Sequence, residues 1–251
     1  MKLFLLVCVI FLPQQADVPQ HLYDVSVTIH TADQTGSGVV KTRRRGQEQL
    51  SFVWTAAHVV ADVREEKNGE VSFKDVTLHR TFHHNGEESG KDETSAKVML
   101  YAPGEDLALL RVKRVNYSKS SVCFYSGKES PKLGTKLWHV GSFYGLEGSN
   151  SLSDGVLSYR GRKVDDTLYD QTTVTSYPGA SGGGVFLQDG RCIGLMIRGR
   201  LSSCNWIVPI RRMRAWAHKQ HVTWALDDSV PVPSETELDR ILVEEPEYTY
   251  E

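Results

Sequence analysis

Pro178-Gly179-Ala180-Ser181-Gly182-Gly183 decides how this chain is read. A serine sits among three glycines, and two upstream segments complete a chemical set around it. They are Trp54-Thr55-Ala56-Ala57-His58-Val59-Val60 and Glu105-Asp106-Leu107-Ala108-Leu109-Leu110. In chain order they give His58, Asp106 and Ser181, one of the few orders in which base, orienting acid and nucleophile occur in serine hydrolases. A serine hydroxyl is a weak nucleophile at neutral pH and needs a base within hydrogen-bonding reach. His58 would take the Ser181 proton through one ring nitrogen, while Asp106 would hold the proton on the other and stabilise the imidazolium. Acyl transfer builds negative charge on the carbonyl oxygen. The backbone N–H groups of Gly179 and Ser181 can converge on that oxygen in a turn that glycine tolerates best. Each segment alone has an ordinary reading: a flexible turn, a core histidine, the start of a strand. Their joint presence in this order carries the inference.

The three segments resemble those of the chymotrypsin-like, trypsin-fold serine proteases, and more closely the HtrA-like branch. Val140-Gly141-Ser142-Phe143-Tyr144-Gly145-Leu146 and Ser153-Asp154-Gly155-Val156-Leu157-Ser158 resemble that branch's Gly-x-Pro-x-Gly and Gly-Ile-Val-Ser segments. Asp170-Gln171-Thr172 onward resembles its approach to the nucleophile, and Ile207-Val208-Pro209-Ile210 its Ala-Ile-Pro-Ile strand. The similarity runs from about Val25 to about Ala217. It implies an all-β fold of two six-stranded antiparallel barrels of the trypsin type with a short C-terminal helix and the triad in the cleft between the barrels. Three positions depart from the pattern: Gly184 and Phe143 replace prolines, and Ala180 stands where trypsins carry the Asp that pairs with a freshly cut N-terminus. Alanine cannot make that ion pair, so the resemblance implies a site built on folding or ordered by another partner.

Composition agrees with a turn-rich globular β protein: 251 residues, 40% hydrophobic, 21 glycines. The net charge of −2 argues against general nucleic-acid binding. It hides an asymmetry. Residues 227–251 hold nine acidic residues and one basic one, a net of −8, so the rest of the chain carries about +6. Residues 227–251 therefore read as an acidic, disordered tail. Four cysteines do not make a disulfide scaffold. Cys192 and Cys204 flank a hairpin and could pair, or remain free thiols as readily. Met1-Lys2 and the apolar run Leu3–Leu12, ended by Pro13, are too short to span a bilayer. Residues 1–16 read as a signal peptide or anchor, with a segment cut from a viral polyprotein as the alternative.

Along the chain, residues 17–116 are expected to form the first barrel and 117–226 the second barrel with its helix. Asp24–His30 alternates as a strand, Gly36-Ser37-Gly38 enters a second, and Leu50–Thr55 delivers His58 with short helical character after Ala56. Residues 62–97 are highly charged and read as a strand or two, for instance Val76–His79, with a long mobile loop. His79, His83 and His84 fall there, but without a recognised ligand spacing, so no metal and no cofactor are expected. A polar linker covers about 114–122, and Met213, Trp216 and Ala217 are spaced for a helix over 211–220.

Alignment on the nucleophile places Thr175, Ser176 and Tyr177 on one wall of a specificity pocket. Ile197, Arg198 and Gly199 form the edge for an extended substrate, and Asn205 or Trp206 the far wall. Thr175 stands where an acidic residue would select Lys or Arg, so a preference for small or medium uncharged side chains is expected. The expectation is a serine endopeptidase acting on proteins or peptides, secreted or periplasmic. The alternatives are a viral polyprotein-processing protease in a host cell and a non-catalytic peptide-binding module.

Overall fold

The computed structural model describes residues 17–84, 87–146, 150–164, 167–201, 204–241 and 243; the N-terminal apolar segment lies outside them. Chain entry is a short helix, α1 (Val18–Asp24), whose first turn is capped by the Asp17 carboxylate accepting from the Gln20 N–H.

The first barrel contains β1 (Ser26–His30), β2 (Thr35–Arg45) and β3 (Glu48–Thr55). A 3-10 turn over Ala57–Val63 follows, and then a small outlying hairpin, β4 (Arg64–Lys67) and β5 (Glu70–Phe73). β6 (Val76–His84), β7 (Glu87–Ala102) and β8 (Leu107–Val112) complete it. The strands close in the order β1-β2-β3-β8-β7-β6, β6 pairing back to β1. Val27, Ile29, Val39, Phe52, Val53, Trp54, Leu78, Leu109 and Leu110 are fully buried in its core.

The second barrel starts after the polar connection with β9 (Cys123–Phe124) and β10 (Lys136–Ser142). It continues through β11 (Asn150–Val164), β12 (Thr167–Thr172), β13 (Gly184–Leu187), β14 (Arg191–Leu201) and β15 (Cys204–Pro209). The order β13-β10-β11-β12-β15-β14 closes through a β13–β14 pairing, and β9 adds to β14 in parallel. Helix α2 (Ile210–Lys219) follows, with Ile210, Met213, Trp216 and Ala217 on its buried face. The architecture is thus the expected pair of six-stranded antiparallel barrels with a C-terminal helix.

Two expectations are corrected. The strand expected at Val76–His79 lies within β6, but the long loop expected in residues 62–97 does not form. These residues form the β4–β5 hairpin and the long β6–β7 ribbon, which pairs from Val76↔Ala96 out to His84↔Glu87. A two-stranded ribbon that faces water needs no apolar run. Its ladder hydrogen bonds and the Arg80 guanidinium, buried between the Phe82 and Tyr117 rings at 4.6 and 4.4 Å, hold it instead.

The acidic segment is ordered at least to residue 241. Arg43, buried in β2, donates to the carbonyls of Trp224, Asp227, Asp228 and Val230. Lys41 Nζ reaches Asp228 at 2.8 Å. A second short helix, α3 (Glu235–Leu238), is closed by a Ser234–Glu237 capping box. Its Glu235 bridges Arg45 and Arg111, which hold the carboxyl down at about 2. The tail's acids therefore meet individual cations of the first barrel, Lys41, Arg43, Arg45 and Arg111. Residues 244–251 lie outside the described residues.

Of the two readings open for Cys192 and Cys204, the free thiols are found, and the three described cysteines are free. Register explains it: Cys204 faces Leu201 at the tip of the β14–β15 hairpin, whereas Cys192 precedes Gly194, which already pairs Pro209 at the other end.

Candidate active site

The end of β3 carries His58 into the first turn of the 3-10 segment, because Ala57, Val59, Val60 and Val63 bury and leave the histidine side chain 44% exposed. Asp106 ends the Pro103–Asp106 turn before β8. Its N–H donates to the Pro103 carbonyl at 3.2 Å, and its backbone takes a left-handed φ of +52°. That conformation is unfavourable for a non-glycine residue and persists where surrounding contacts fix it. Here two hold it: the His58 backbone N–H donates to Asp106 Oδ1 at 3.1 Å, and His58 Nδ1 lies 3.0 Å from both carboxylate oxygens. The carboxylate accepts, so the ring proton sits on Nδ1 and Nε2 is left as the proton acceptor.

Ser181 belongs to a turn stitched to the first barrel. The Ser37 N–H donates to the Ser181 carbonyl at 2.7 Å, and Ser37 Oγ donates to the Gly179 carbonyl at 2.7 Å. Ser37 Oγ in turn accepts the Ser142 N–H at 2.8 Å. Gly182, at φ +86°, packs so closely that a Cβ there would fall 2.2 Å from Ser37 O and Thr55 Oγ1 and 3.0 Å from the Ala56 nitrogen. Only glycine brings the Ser181 turn against the strand end that delivers His58. Ser181 Oγ donates to the Ile197 carbonyl at 3.2 Å. The hydrogen bonds among the described residues join His58 to Asp106 but do not include one from Ser181 Oγ to His58.

Around the turn the amides divide. The Ala180 N–H donates to Tyr177 O, the Gly182 N–H to Met196 O and the Gly183 N–H to Ala180 O. The N–H groups of Gly179 and Ser181 make no hydrogen bond among the described residues. Gly179 has φ +93°, with the Gly145 amide 2.9 Å from where its Cβ would stand. This leaves two unspent donors flanking the serine, the arrangement an oxyanion requires.

Residues 36–195 match the model of the trypsin-like peptidase domain. The chain belongs to that family. Among curated relatives of this trypsin-like peptidase domain are probable periplasmic DegP-like serine endoproteases of Pseudomonas putida and Pseudomonas fulva, 31% and 30% identical over 110 residues. That stretch is 43% of this chain and 22% of each relative's length. Among solved structures, Deg5 superposes with a TM-score of 0.63 at 21% identity, covering 84% of this chain and 94% of that one. A serine endoprotease from Yersinia pestis gives 0.60 at 15% identity, covering 82% and 66%. Both share the fold.

The expected pocket residues fall on several elements of the second barrel. Thr175 and Tyr177 line a hollow with residues of β10 and β11. Ile197, Arg198 and Gly199 lie on β14, with Arg198 facing Trp206 and Gly199 facing Asn205 across the ladder; the Arg198 side chain lies outside what is described. Asn205 is fully buried and donates to the Val174 carbonyl at 2.6 Å, directly behind the wall that continues into Thr175 and the half-buried Ser176. Ser37 is the residue that sequence reasoning missed. Gly36-Ser37-Gly38 announced a turn into a strand, and nothing local told that its hydroxyl would latch onto a loop 142 residues away. Of the histidines read against a metal, His79 meets the His30 ring edge to face at 4.6 Å and His83 lies tilted against Tyr23 at 4.7 Å. The His84 side chain lies outside the described residues.

Proposed function

We propose that this chain is a serine endopeptidase that cuts proteins or peptides through an acyl-enzyme, with Ser181 as nucleophile, His58 as general base and acid, and Asp106 as its orienting partner. The observation that carries the reading is the His58–Asp106 pair beside a serine flanked by the two unspent amides of Gly179 and Ser181. In this mechanism Ser181 Oγ rotates from the Ile197 carbonyl toward His58 Nε2, which takes its proton as the oxygen attacks the substrate carbonyl. Catalytic hydrogen bonds in ligand-free sites are commonly loose and tighten on substrate binding. The carbonyl oxygen becomes an oxyanion held by Gly179 and Ser181 N–H, each such donor contributing about 3 kcal/mol. The imidazolium, steadied by Asp106, returns the proton to the departing amine. Water repeats the cycle and frees Ser181.

The backbone of Ile197–Gly199 is the edge along which an extended substrate would pair. With Thr175 at the wall, small or medium uncharged side chains are the expected preference before the cut. The relatives' names favour a secreted or periplasmic location over the viral alternative. No helix among the described residues is long and apolar enough to cross a membrane. A pure peptide binder would have no use for the His58–Asp106 pair. Profiling of a proteome-derived peptide library separates the two: new termini following small uncharged residues are expected, whereas retention of peptides without any cleavage would leave the binding module as the correct reading.

A further inference from the structure

The turn that carries Asp106 is thinly built. Pro103 and Gly104 are exposed, and nothing lies within 4 Å of where a Gly104 Cβ would stand. The turn's own hydrogen bonds are long: Glu105 N–H to the Ala102 carbonyl and Asp106 N–H to the Pro103 carbonyl, both at 3.2 Å. Yet Asp106 sits at φ +52°, a region that residues with side chains avoid unless something fixes them there. Its carboxylate is held by His58. The backbone that brings it there is gripped from the other barrel.

Arg212, on α2, lies 107 residues further along the chain than Glu105 and makes three hydrogen bonds to it. Nε and Nη2 donate to Glu105 Oε2 at 3.1 and 2.6 Å, and Nη2 also donates to the Glu105 main-chain carbonyl at 3.1 Å. The guanidinium is itself anchored to the second barrel. Nη1 donates to the Leu168 carbonyl at 3.1 Å. Its flat face lies 4.9 Å from the centre of the Tyr169 ring, which stacks on Trp206 at 6.1 Å. The Arg212 side chain is 14% exposed, so this is not a surface ion pair free to wander.

The carbonyl that Arg212 holds and the N–H of Asp106 are the two ends of one planar peptide group. Pro103 takes the N–H end and Arg212 the carbonyl end, which stops the plane from turning. The φ of Asp106 is measured from that plane. Fixed on one side by Arg212 and on the other by His58, it stays left-handed. With the plane released, φ relaxes to the ordinary negative range and the carboxylate swings out of line with His58 Nδ1.

We infer that Arg212 is a positioning residue for the His58–Asp106 pair, a clamp from the second barrel that fixes the Glu105–Asp106 peptide and through it the carboxylate. The kinetic consequence rests on the proposed hydrolysis, whereas the geometry is read without turnover. The clamp needs a planar fork. Lysine carries the same charge as a single point and cannot hold the Glu105 carboxylate, the Glu105 carbonyl and the Leu168 carbonyl together.

Arg212→Gln and Arg212→Lys test this, each made in wild-type, Ser181→Ala and Asp106→Ala protein. In Ser181→Ala the proton shared by His58 Nδ1 and Asp106 is expected as a low-field proton resonance, and both Arg212 substitutions should lose it to exchange with water. In the wild-type background kcat should fall by about tenfold to a hundredfold with KM unchanged. In the Asp106→Ala background either substitution should cost nothing further, because residues acting through one another are not additive. Arg212→Lys keeps the ion pair with Glu105 and carries the test if Arg212→Gln does not fold. An undiminished resonance with full kcat in folded Arg212→Lys would overturn the inference. So would an equal loss of kcat with and without Asp106, which would make Arg212 a structural tie alone. If the wild-type protein cleaves no peptide, the endopeptidase reading fails on its own, and loss or retention of the resonance still confirms or overturns the clamp.

Discussion

Ser181→Ala is expected to lower kcat on a peptide substrate by about a millionfold, with the fold intact. Loss of the nucleophile in a triad removes the covalent route, and what remains is the modest rate supplied by the oxyanion donors and binding. His58→Ala should fall to nearly the same level, and the double variant should be little worse, because the two act as one unit. Stability should change little in either case. Ser181 Oγ makes one hydrogen bond, to the Ile197 carbonyl, and the His58 side chain is largely exposed. Single-turnover kinetics with thermal melts of the same preparations reads both quantities. A Ser181→Ala protein that melts normally and still cleaves at the wild-type rate would remove the assignment.

Asp106→Asn is expected to cost about 10³–10⁴ in kcat while moving KM little. The His58 ring lies 3.0 Å from both Asp106 oxygens, so the carboxylate accepts from Nδ1–H and leaves Nε2 free to take the serine proton. A carboxamide presents an N–H toward the ring, favours the other tautomer, and places the proton on the nitrogen that must be bare. The imidazolium of the transition state also loses its counter-charge. The effect belongs to kcat because Asp106 does not touch the substrate in this mechanism. The left-handed backbone at φ +52° should survive, since Asn adopts it readily, so the comparison isolates the side chain. A fall confined to KM would argue that Asp106 shapes binding instead.

How much of this was legible in the chain follows from how local each signal is. The His58, Asp106 and Ser181 segments announce themselves because each packs its chemistry into a few neighbouring residues, with glycine where the turn requires it. The barrels were legible through alternation in short strands such as Ser26–His30. The outer part of the β6–β7 ribbon was not, because it faces water and its charged residues carry no apolar period. The docking of 227–241 was hidden as well. It depends on Arg43 and Lys41, two side chains of a strand nearly two hundred residues earlier, turning inward to meet carbonyls and Asp228. Charge counting registered the imbalance and missed which individual cations, Lys41, Arg43, Arg45 and Arg111, the tail would meet. Ser37 was invisible for the same reason: it acts through a partner brought near only by the closed barrels.

The central claim is that His58 activates Ser181 opposite the two free amides. A fluorophosphonate probe followed by peptide mapping tests it most directly, since the probe reacts with an activated serine and not with an ordinary hydroxyl. The account predicts one adduct, on the peptide containing Ser181, lost in His58→Ala. A folded protein that stays unlabelled, or one labelled on a different serine, would contradict it.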